Sequence, residues 1–387
     1  MTPRKLVVLS VSAGAGHVRA AEAICAQAQA AGLDCTHIDI LQHVPAWFRW
    51  LYADFYAVLV NRAPLLWSWL YGRMNQAGPP GLLQRLRRAA ERRLGAHWLA
   101  QLATLAPDAI LCTHFLPAEV LMHRKQTSAT PLFVHVTDFD LHAMWLQPGI
   151  QMYFVGCEEA AFQLRRGGVD DARIDVSGLA LMPAFRPMPD PGVLASLLPP
   201  HQQQQKSPPQ QEQQARQPAV LLMGGGGGFG GLDAIANSLL EAADGFQMLV
   251  LAGRNAQALA ALQALAPRWP GRLAALGYTS QVAELMAGAD IVITKPGGLS
   301  SAECLAIGAA IIVNAPIPGQ EERNADYLLE HGAALKAVNA ATLAWRLRVL
   351  LEHPAQRQAM ALRARRLGRP DAARRIADAI ARHLDGH

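Results

Sequence analysis

Residues 294–303 read TKPGGLSSAE, and 315–324, beyond the next apolar run, read APIPGQEERN. The run 291–294 is apolar and β-branched, as a buried strand requires. Gly297 and Gly298 then permit a tight turn, and a helix is expected to start near Ser300. Backbone N–H groups at such a helix start suit a phosphate. Glu303 lies about one turn further on, placed to accept hydrogen bonds from a ribose diol. A capping box between Ser300 and Glu303 has the same spacing, so this stretch alone leaves both readings open. The second stretch favours a ligand. Pro316 and Pro318 stiffen a loop in which Gln320, Glu321 and Asn324 crowd polar side chains beyond a strand end. Together the two stretches read as a nucleotide-sugar pocket, with one carboxylate for ribose and amide or carboxylate groups for sugar hydroxyls.

Working outward, strand-like runs at 219–223, 246–252, 274–276, 291–294 and 310–313 alternate with helical patterns. An earlier series at 5–11, 35–40, 109–113, 132–137, 152–155 and 173–176 does the same, with an Ala-rich helix over 19–31. Such alternation implies parallel strands joined by crossover helices. The expected fold class is therefore α/β, with two doubly wound, Rossmann-like domains. Ligands bind beyond the carboxyl ends of such strands, so two facing domains would line a cleft. Between the two series, 201–217 is almost entirely Gln, Pro, Ser and a few charges, which cannot bury apolar surface. The expected boundaries are 1–185, a linker or insert over 186–217, a second domain over 218–355, and C-terminal helices over 356–387 that pack back on the first domain.

Composition sets limits on function. Of 387 residues, 51% are hydrophobic and 17% charged, which excludes a wholly disordered chain. A net charge of +5 favours anionic partners, whether phospholipid, nucleotide phosphate or nucleic acid. The five cysteines lack a CxxC pair and are read as buried small hydrophobes in a reducing compartment, not as metal ligands or disulfides. No stretch reaches the roughly 18 uninterrupted apolar residues of a spanning helix, so the chain is expected to be soluble or peripheral.

Three more segments carry chemistry. The glycine run 224–228, followed by Gly230 and Gly231, leaves a strand for a helix, and suits a phosphate cradle or a hinge. Near the start, 12–21 reads SAGAGHVRAA. A dinucleotide fingerprint wants glycine or alanine where Arg19 stands, although Asp39 at the end of the second strand partly restores that reading. His17 opens a helix, where the dipole favours a neutral imidazole, the form a general base needs. Residues 136–145, VTDFDLHAMW, place Asp138 and His142 just beyond a strand. Metal ligation by His135, Asp138 and His142 is a disfavoured alternative.

Residues 45–71 contain nine aromatics, including Trp47, Trp50, Phe55, Trp67 and Trp69, and 81–94 add Arg85, Arg87, Arg88, Arg92 and Arg93. Aromatic rings beside basic side chains suit an anionic bilayer surface. A helical pair packed on the first domain accounts for part of the pattern. No nucleic-acid recognition module fits these residues.

Taken in order, SAGAGHVRAAEAI, VTDFDLHAMW, MYFVGCEEAAFQLRRGGV, MGGGGGFGGL, LGYTSQVAELMAGADIVITKPGGLSSAE and APIPGQEERNADYL resemble the diacylglycerol glucosyltransferases and plant-type monogalactosyldiacylglycerol synthases, relatives of the peptidoglycan GlcNAc transferase. The likeness runs over about 5–185 and 218–335; the Gln-rich insert and the extreme glycine run depart from it. It implies a GT-B fold, an inverting mechanism, no metal and no cofactor beyond the UDP-sugar co-substrate. The implied reaction moves a hexose from UDP to diacylglycerol at the cytoplasmic, inner face of the cell membrane, with an anionic membrane surface and no nucleic acid as partners.

By the same resemblance, 1–185 takes the acceptor and membrane and 218–355 the nucleotide sugar. Glu303 holds the uridine ribose, and Gln320 and Glu321 meet the hexose. Gly225, Gly226, Gly227, Gly228, Gly230, Ser300 and Ser301 face the pyrophosphate. Arg254, Tyr278, Gly297, Gly298 and Asn324 complete the donor set. His17 is the expected base, with Asp138 and His142 as acceptor-site alternatives. Gly16 and Trp145 join Trp47, Trp50, Phe55, Trp67, Trp69, Arg85 and Arg88 on the acceptor and membrane side. Rival readings are GlcNAc transfer to a polyprenyl-linked acceptor, a nucleotide-sugar epimerase, and a non-catalytic nucleotide-sugar sensor at the membrane.

Overall fold

A computed structural model of the chain describes residues 3–50, 72, 96–122, 130–185, 190–199, 216–224 and 231–386. The chain divides into two compact units. One comprises Met1–Pro183, Ile317–Asn324 and Arg369–His387; the other comprises Ala184–Pro316 and Ala325–Gly368.

Among the described residues, the first unit holds six parallel strands: β1 (Lys5–Ser10), β2 (Asp34–Asp39), β3 (Ala109–Cys112), β4 (Leu132–His135), β5 (Met152–Phe154) and β6 (Ile174–Asp175). Their order is β2-β1-β3-β4-β5-β6. Helices on both faces leave the central strands apolar throughout, as parallel sheets require; Leu6, Val8, Leu111, Phe133 and Val134 are buried. Helices of this unit include α1 (Ala15–Ala30), α2 (Ala96–Leu105), α3 (Phe115–Met122) and α4 (Glu158–Arg166). Strand order reverses beside β1, since β2 lies on one side and β3 on the other. The β1 and β3 ends therefore form the switch point where α/β sheets bind ligands.

The second unit repeats the plan with β7 (Ala219–Met223), β8 (Gln247–Gly253), β9 (Leu273–Gly277), β10 (Ile291–Thr294), β11 (Ile311–Asn314) and β12 (Ala334–Ala337), ordered β12-β11-β10-β7-β8-β9. Here the switch point lies between the ends of β7 and β10. Val220, Leu222, Met248, Val250, Ile291, Ile293 and Ile312 form the sheet's part of the core. Strand β12 carries Lys336 inside an Ala-rich run, and its weak apolar signal left it unread in the sequence.

The helices of this unit are α5 (Gly192–Leu197), α6 (Leu232–Ala242), α7 (Ala256–Leu265), α8 (Val282–Gly288), α9 (Gly298–Ile307), α10 (Gln320–Glu330), α11 (Ala340–Glu352) and α12 (Pro354–Leu367). The first turn of α10 clusters with the first unit. So does α13 (Ala372–Asp385), which packs on α1. Its buried Ile376, Ala377, Ile380 and Leu384 recur at helical spacing. The helix α1 against which α13 packs buries the small side chains Ala20, Ala21 and Ala28. Gly178, at φ +92°, lets the chain after β6 pass against Arg369; a β-carbon there would collide with that side chain.

Cys25 and Cys35 form a disulfide, with Cα atoms 5.4 Å apart, which corrects the expectation of five unpaired thiols. The cause is local packing: α1 returns over β2, bringing two residues ten apart to bonding distance. Cys112, Cys157 and Cys304 are free and buried, as small core residues are.

Candidate active site

The polar cluster of the first unit is built on three strand ends. After β1 the chain turns through Gly14, so His17 stands in the first turn of α1. Thr113 follows β3, and Thr137 lies just past β4. The His17 Nδ1 is 2.7 Å from the Thr113 carbonyl oxygen and 3.0 Å from Thr137 Oγ1. The Thr113 hydroxyl donates to the His17 carbonyl at 2.9 Å. A carbonyl can only accept, so Nδ1 carries the proton and Nε2 presents the lone pair. Burial pushes the imidazole down from 6.5 to about 4, although the residue as a whole is only half-buried. His17 is thus neutral at physiological pH. His114 meets its ring edge-on at 4.6 Å between centroids, and Trp145 stands 6.5 Å away.

The loop beyond β4 carries Asp138 and His142. Asp138 Oδ1 accepts a hydrogen bond from Asn324 Nδ2 at 2.9 Å. Burial pushes this carboxyl from 3.8 up to about 6; the Asn324 bond opposes the rise, and Asp140 and Glu321 add to it. His142 Nδ1 accepts the Met144 N–H at 3.2 Å, capping the short turn Ala143–Trp145. Trp145 itself is buried, edge-on to Phe115 at 5.8 Å, so its ring faces protein and not a bilayer. Gly16 lies in the first turn of α1 beside His17.

Two alternatives from the sequence do not survive. His135 spends both ring nitrogens on backbone, Nε2 accepting the Ala180 N–H at 3.1 Å and Nδ1 facing the Phe154 carbonyl at 3.3 Å, so it is no metal ligand. Asp39 Oδ1 accepts the N–H groups of Ser12 and Leu41 at 3.1 and 3.2 Å. That structural task explains an acid at the end of β2 without a dinucleotide.

In the second unit, β7 leads into Gly224; Gly225, Gly226, Gly227, Gly228 and Gly230 lie outside the described residues. Gly231, at φ 82°, starts α6. After β10 the chain turns at Gly297, and α9 begins at Gly298, two residues earlier than expected. Gly297 is the N-cap and no side chain caps it, so the Ser300–Glu303 capping box does not form. Ser300 and Ser301 occupy the first turn, with Glu303 buried just after. Ser301 Oγ is buried without a hydrogen-bond partner among the described residues, which natural proteins rarely leave unexplained. Arg254 and Tyr278 follow β8 and β9. The guanidinium lies 4.5 Å over the ring, and Tyr278 is 65% exposed.

Between β11 and α10, Ala315 adopts φ 40°, a strained conformation of the kind that clusters at binding sites. Gln320 opens α10, and Glu321 Oε2 accepts the Ile317 N–H at 2.8 Å. Asn324, expected among the donor ligands, commits its amide to the 138–139 backbone and carboxylate within the first unit.

Trp47 and Trp50 are 58% and 55% exposed, at a short helix over Ala46–Arg49. Phe55, Trp67, Trp69, Arg85 and Arg88 lie outside the described residues. Among the described residues no helix is long and apolar enough to cross a membrane, and no cluster of three His, Cys, Asp or Glu side chains suits a metal ion.

The model of the monogalactosyldiacylglycerol (MGDG) synthase family matches residues 17–181, and that of glycosyl transferases group 1 matches 234–367. A processive diacylglycerol beta-glucosyltransferase from Bacillus pumilus is 23% identical over 346 residues, covering 86% of this chain and 83% of its own. Among solved structures, Acinetobacter baumannii MurG superposes with a TM-score of 0.60 at 16% identity, over 98% of this chain and 99% of its own.

The chain is a glycosyltransferase of the GT-B fold.

A UDP-GlcNAc 2-epimerase from Neisseria meningitidis, solved with UDP-GlcNAc, also superposes, with a TM-score of 0.57 at 12% identity over 98% and 100% of the two chains. Fold alone does not separate transfer from epimerisation; the two sequence families make this chain a transferase. Its polar cluster includes Thr113, Thr137 and Gln163, which the sequence reading missed. The two threonines carried a usable signal, since each closes an apolar strand run in a sheet whose ligands bind at strand ends.

Proposed function

We propose that the transferase moves a hexose from a UDP-α-hexose to the free hydroxyl of diacylglycerol, giving a β-glycosyl diacylglycerol. The observation that carries this reading is the His17–Thr113 contact at 2.7 Å, which leaves Nε2 as proton acceptor inside the segment matched by the MGDG synthase family. The acceptor oxygen attacks the anomeric carbon opposite UDP. His17 Nε2 takes the hydroxyl proton as the new C–O bond forms. The bond to UDP breaks with its electron pair on the phosphate oxygen. One displacement inverts the centre.

The 1–185 domain takes the acceptor in this reading, and 218–355 the donor, with 186–217 as connector. Developing charge on UDP is stabilised by the N–H groups at the start of α9, by Ser300 and by the orphan hydroxyl of Ser301. Removing one such donor typically costs roughly 3 kcal/mol. Glu303 accepts from the ribose, the Tyr278 ring with Arg254 offers a platform for the base, and Gln320 and Glu321 meet the hexose. No metal is required, so activity persists in EDTA. Trp47 and Trp50, with Arg49 between them in sequence, hold the enzyme on the anionic inner face of the cell membrane; nucleic acid is not a partner.

The same donor machinery suits GlcNAc transfer to a polyprenyl-linked acceptor. The two readings separate when purified enzyme meets diacylglycerol vesicles and polyprenyl-linked saccharides side by side, with UDP-glucose, UDP-galactose, UDP-glucuronate and UDP-GlcNAc offered singly. Labelled sugar on diacylglycerol supports the proposal; label only on the polyprenyl lipid replaces it.

A further inference from the structure

The loop that carries Asp138 is held by two amide side chains in one repeated arrangement. Asn324 Oδ1 accepts the Phe139 N–H at 2.9 Å, while its Nδ2 donates to Asp138 Oδ1 at 2.9 Å. Two residues on, Gln163 Oε1 accepts the Leu141 N–H at 2.7 Å, and its Nε2 donates to Asp140 Oδ1 at 2.7 Å. In each case one amide joins a carboxylate to the N–H of the following residue. Flipping either amide would set its NH₂ against an N–H and its oxygen against a carboxylate, so the chemistry fixes both orientations. Asn324 is fully buried, and nothing in its position is explained by a solvent-facing helix turn.

We infer that Asn324 is a positioning residue for Asp138, holding the acceptor-side loop through the Phe139 N–H, and that Gln163 does the same for Asp140. The inference deepens the proposed function, since it rests on Asp138 as an acceptor-site group. The charged groups acting on Asp138 are Asp140 of its own loop and Glu321 of α10, both favouring the protonated acid, together with burial. Among the described residues, the Asn324 Nδ2–H is the contact that favours the carboxylate. The Asn324 amide serves both purposes: acceptance of the N–H fixes the loop, and donation favours the charged form of Asp138.

Those two purposes separate by substitution. Asn324→Asp keeps an acceptor for the Phe139 N–H but replaces the donor with a second carboxylate. Asn324→Ala removes both. The Asp138 titration is read by carbon-13 NMR of aspartate-labelled full-length enzyme, assigned with Asp138→Asn. In wild type it falls near pH 6. It is expected to rise by about one pH unit or more in Asn324→Ala. In Asn324→Asp it rises at least as far, although the backbone contact is retained. If the Asn324 variants fail to fold, Gln163→Glu tests the repeat: it keeps an acceptor for the Leu141 N–H, sets a second carboxylate against Asp140, and is expected to raise the Asp138 titration on the same loop. An unchanged titration of Asp138 in the Asn324 variants, or in Gln163→Glu where those do not fold, overturns the inference.

Turnover gives the second readout. As a donor ligand, Asn324 would raise the KM for nucleotide sugar when lost. As a positioning residue, its loss leaves that KM within about twofold and moves the acidic limb of the rate profile upward with Asp138. The titration needs no turnover, so an enzyme inactive on diacylglycerol that still shows the shift refutes the acceptor reading and keeps the positioning role.

Discussion

The Nδ1 of His17, at the start of the helix after the first strand, is held 2.7 Å from the carbonyl of Thr113, the residue that follows the third strand. Two neighbouring strand ends at a switch point thus fix one imidazole tautomer, without a carboxylate partner in that bond. The orienting group is the Thr113 backbone carbonyl, while the Thr113 hydroxyl separately donates to the His17 carbonyl at 2.9 Å.

Replacing His17 by alanine removes the proposed base and leaves the donor side untouched. The expected result is a kcat lower by about 10²–10⁴-fold, with binding of the nucleotide sugar by calorimetry changed less than about twofold. Thr137→Val removes only the hydroxyl 3.0 Å from Nδ1, and should lower kcat far less than the loss of His17. A Thr137→Val effect as large as that of His17→Ala would mean that the Thr113 carbonyl does not suffice to orient the ring.

Glu303→Ala should act on the opposite substrate. A buried carboxylate that accepts from a ribose diol contributes to binding before and during transfer, so KM for the UDP-sugar rises about 10–100-fold while kcat changes little. Steady-state kinetics over a donor range distinguish this from a loss of kcat alone.

Acid should loosen the first unit through its buried histidines. Burial pushes His135 down from 6.5 to about 4. A depressed histidine favours its neutral form when folded, so its stabilisation is complete above pH 6.5. It is lost as pH falls toward 4, where the unfolded chain gains a proton that the folded one refuses. For His135 the full effect is about 3 kcal/mol. Asp138 opposes it: with its value raised to about 6, burying the charged carboxylate weakens the fold above that pH, and protonation below 6 relieves the strain. Urea midpoints at pH 7.5 and 4.5 should therefore differ less in His135→Gln than in wild type; equal differences would contradict the assignment.

Exposed Trp47 and Trp50 give the membrane reading a direct handle. The double alanine variant should sediment less with anionic vesicles, while its affinity for the nucleotide sugar in solution is unchanged. Unaltered sedimentation would move membrane contact elsewhere on the chain.

Much of this was legible beforehand because parallel sheets advertise themselves. Continuous apolar runs such as 219–223 and 291–294 leave little choice of structure, and their polar ends named His17, Asp138 and Glu303. What stayed hidden depended on contacts distant in sequence. The Thr113–His17 and Asn324–Asp138 bonds join residues 96 and 186 positions apart. The Cys25–Cys35 pairing follows from how α1 returns over β2, which spacing alone does not encode. The early start of α9 was missed because Gly297 and Gly298 looked like turn residues, whereas Gly298 already belongs to the helix. Lys336 disguised β12 in a similar way.

The most direct test of the account is the anomeric configuration of the product formed from a UDP-α-hexose and diacylglycerol, read by proton NMR of the purified glycolipid made in EDTA. A β-glycoside, formed about 10²–10⁴-fold more slowly by His17→Ala, is the predicted result. An α-glycoside, or an epimerised nucleotide sugar with no glycolipid, would contradict it.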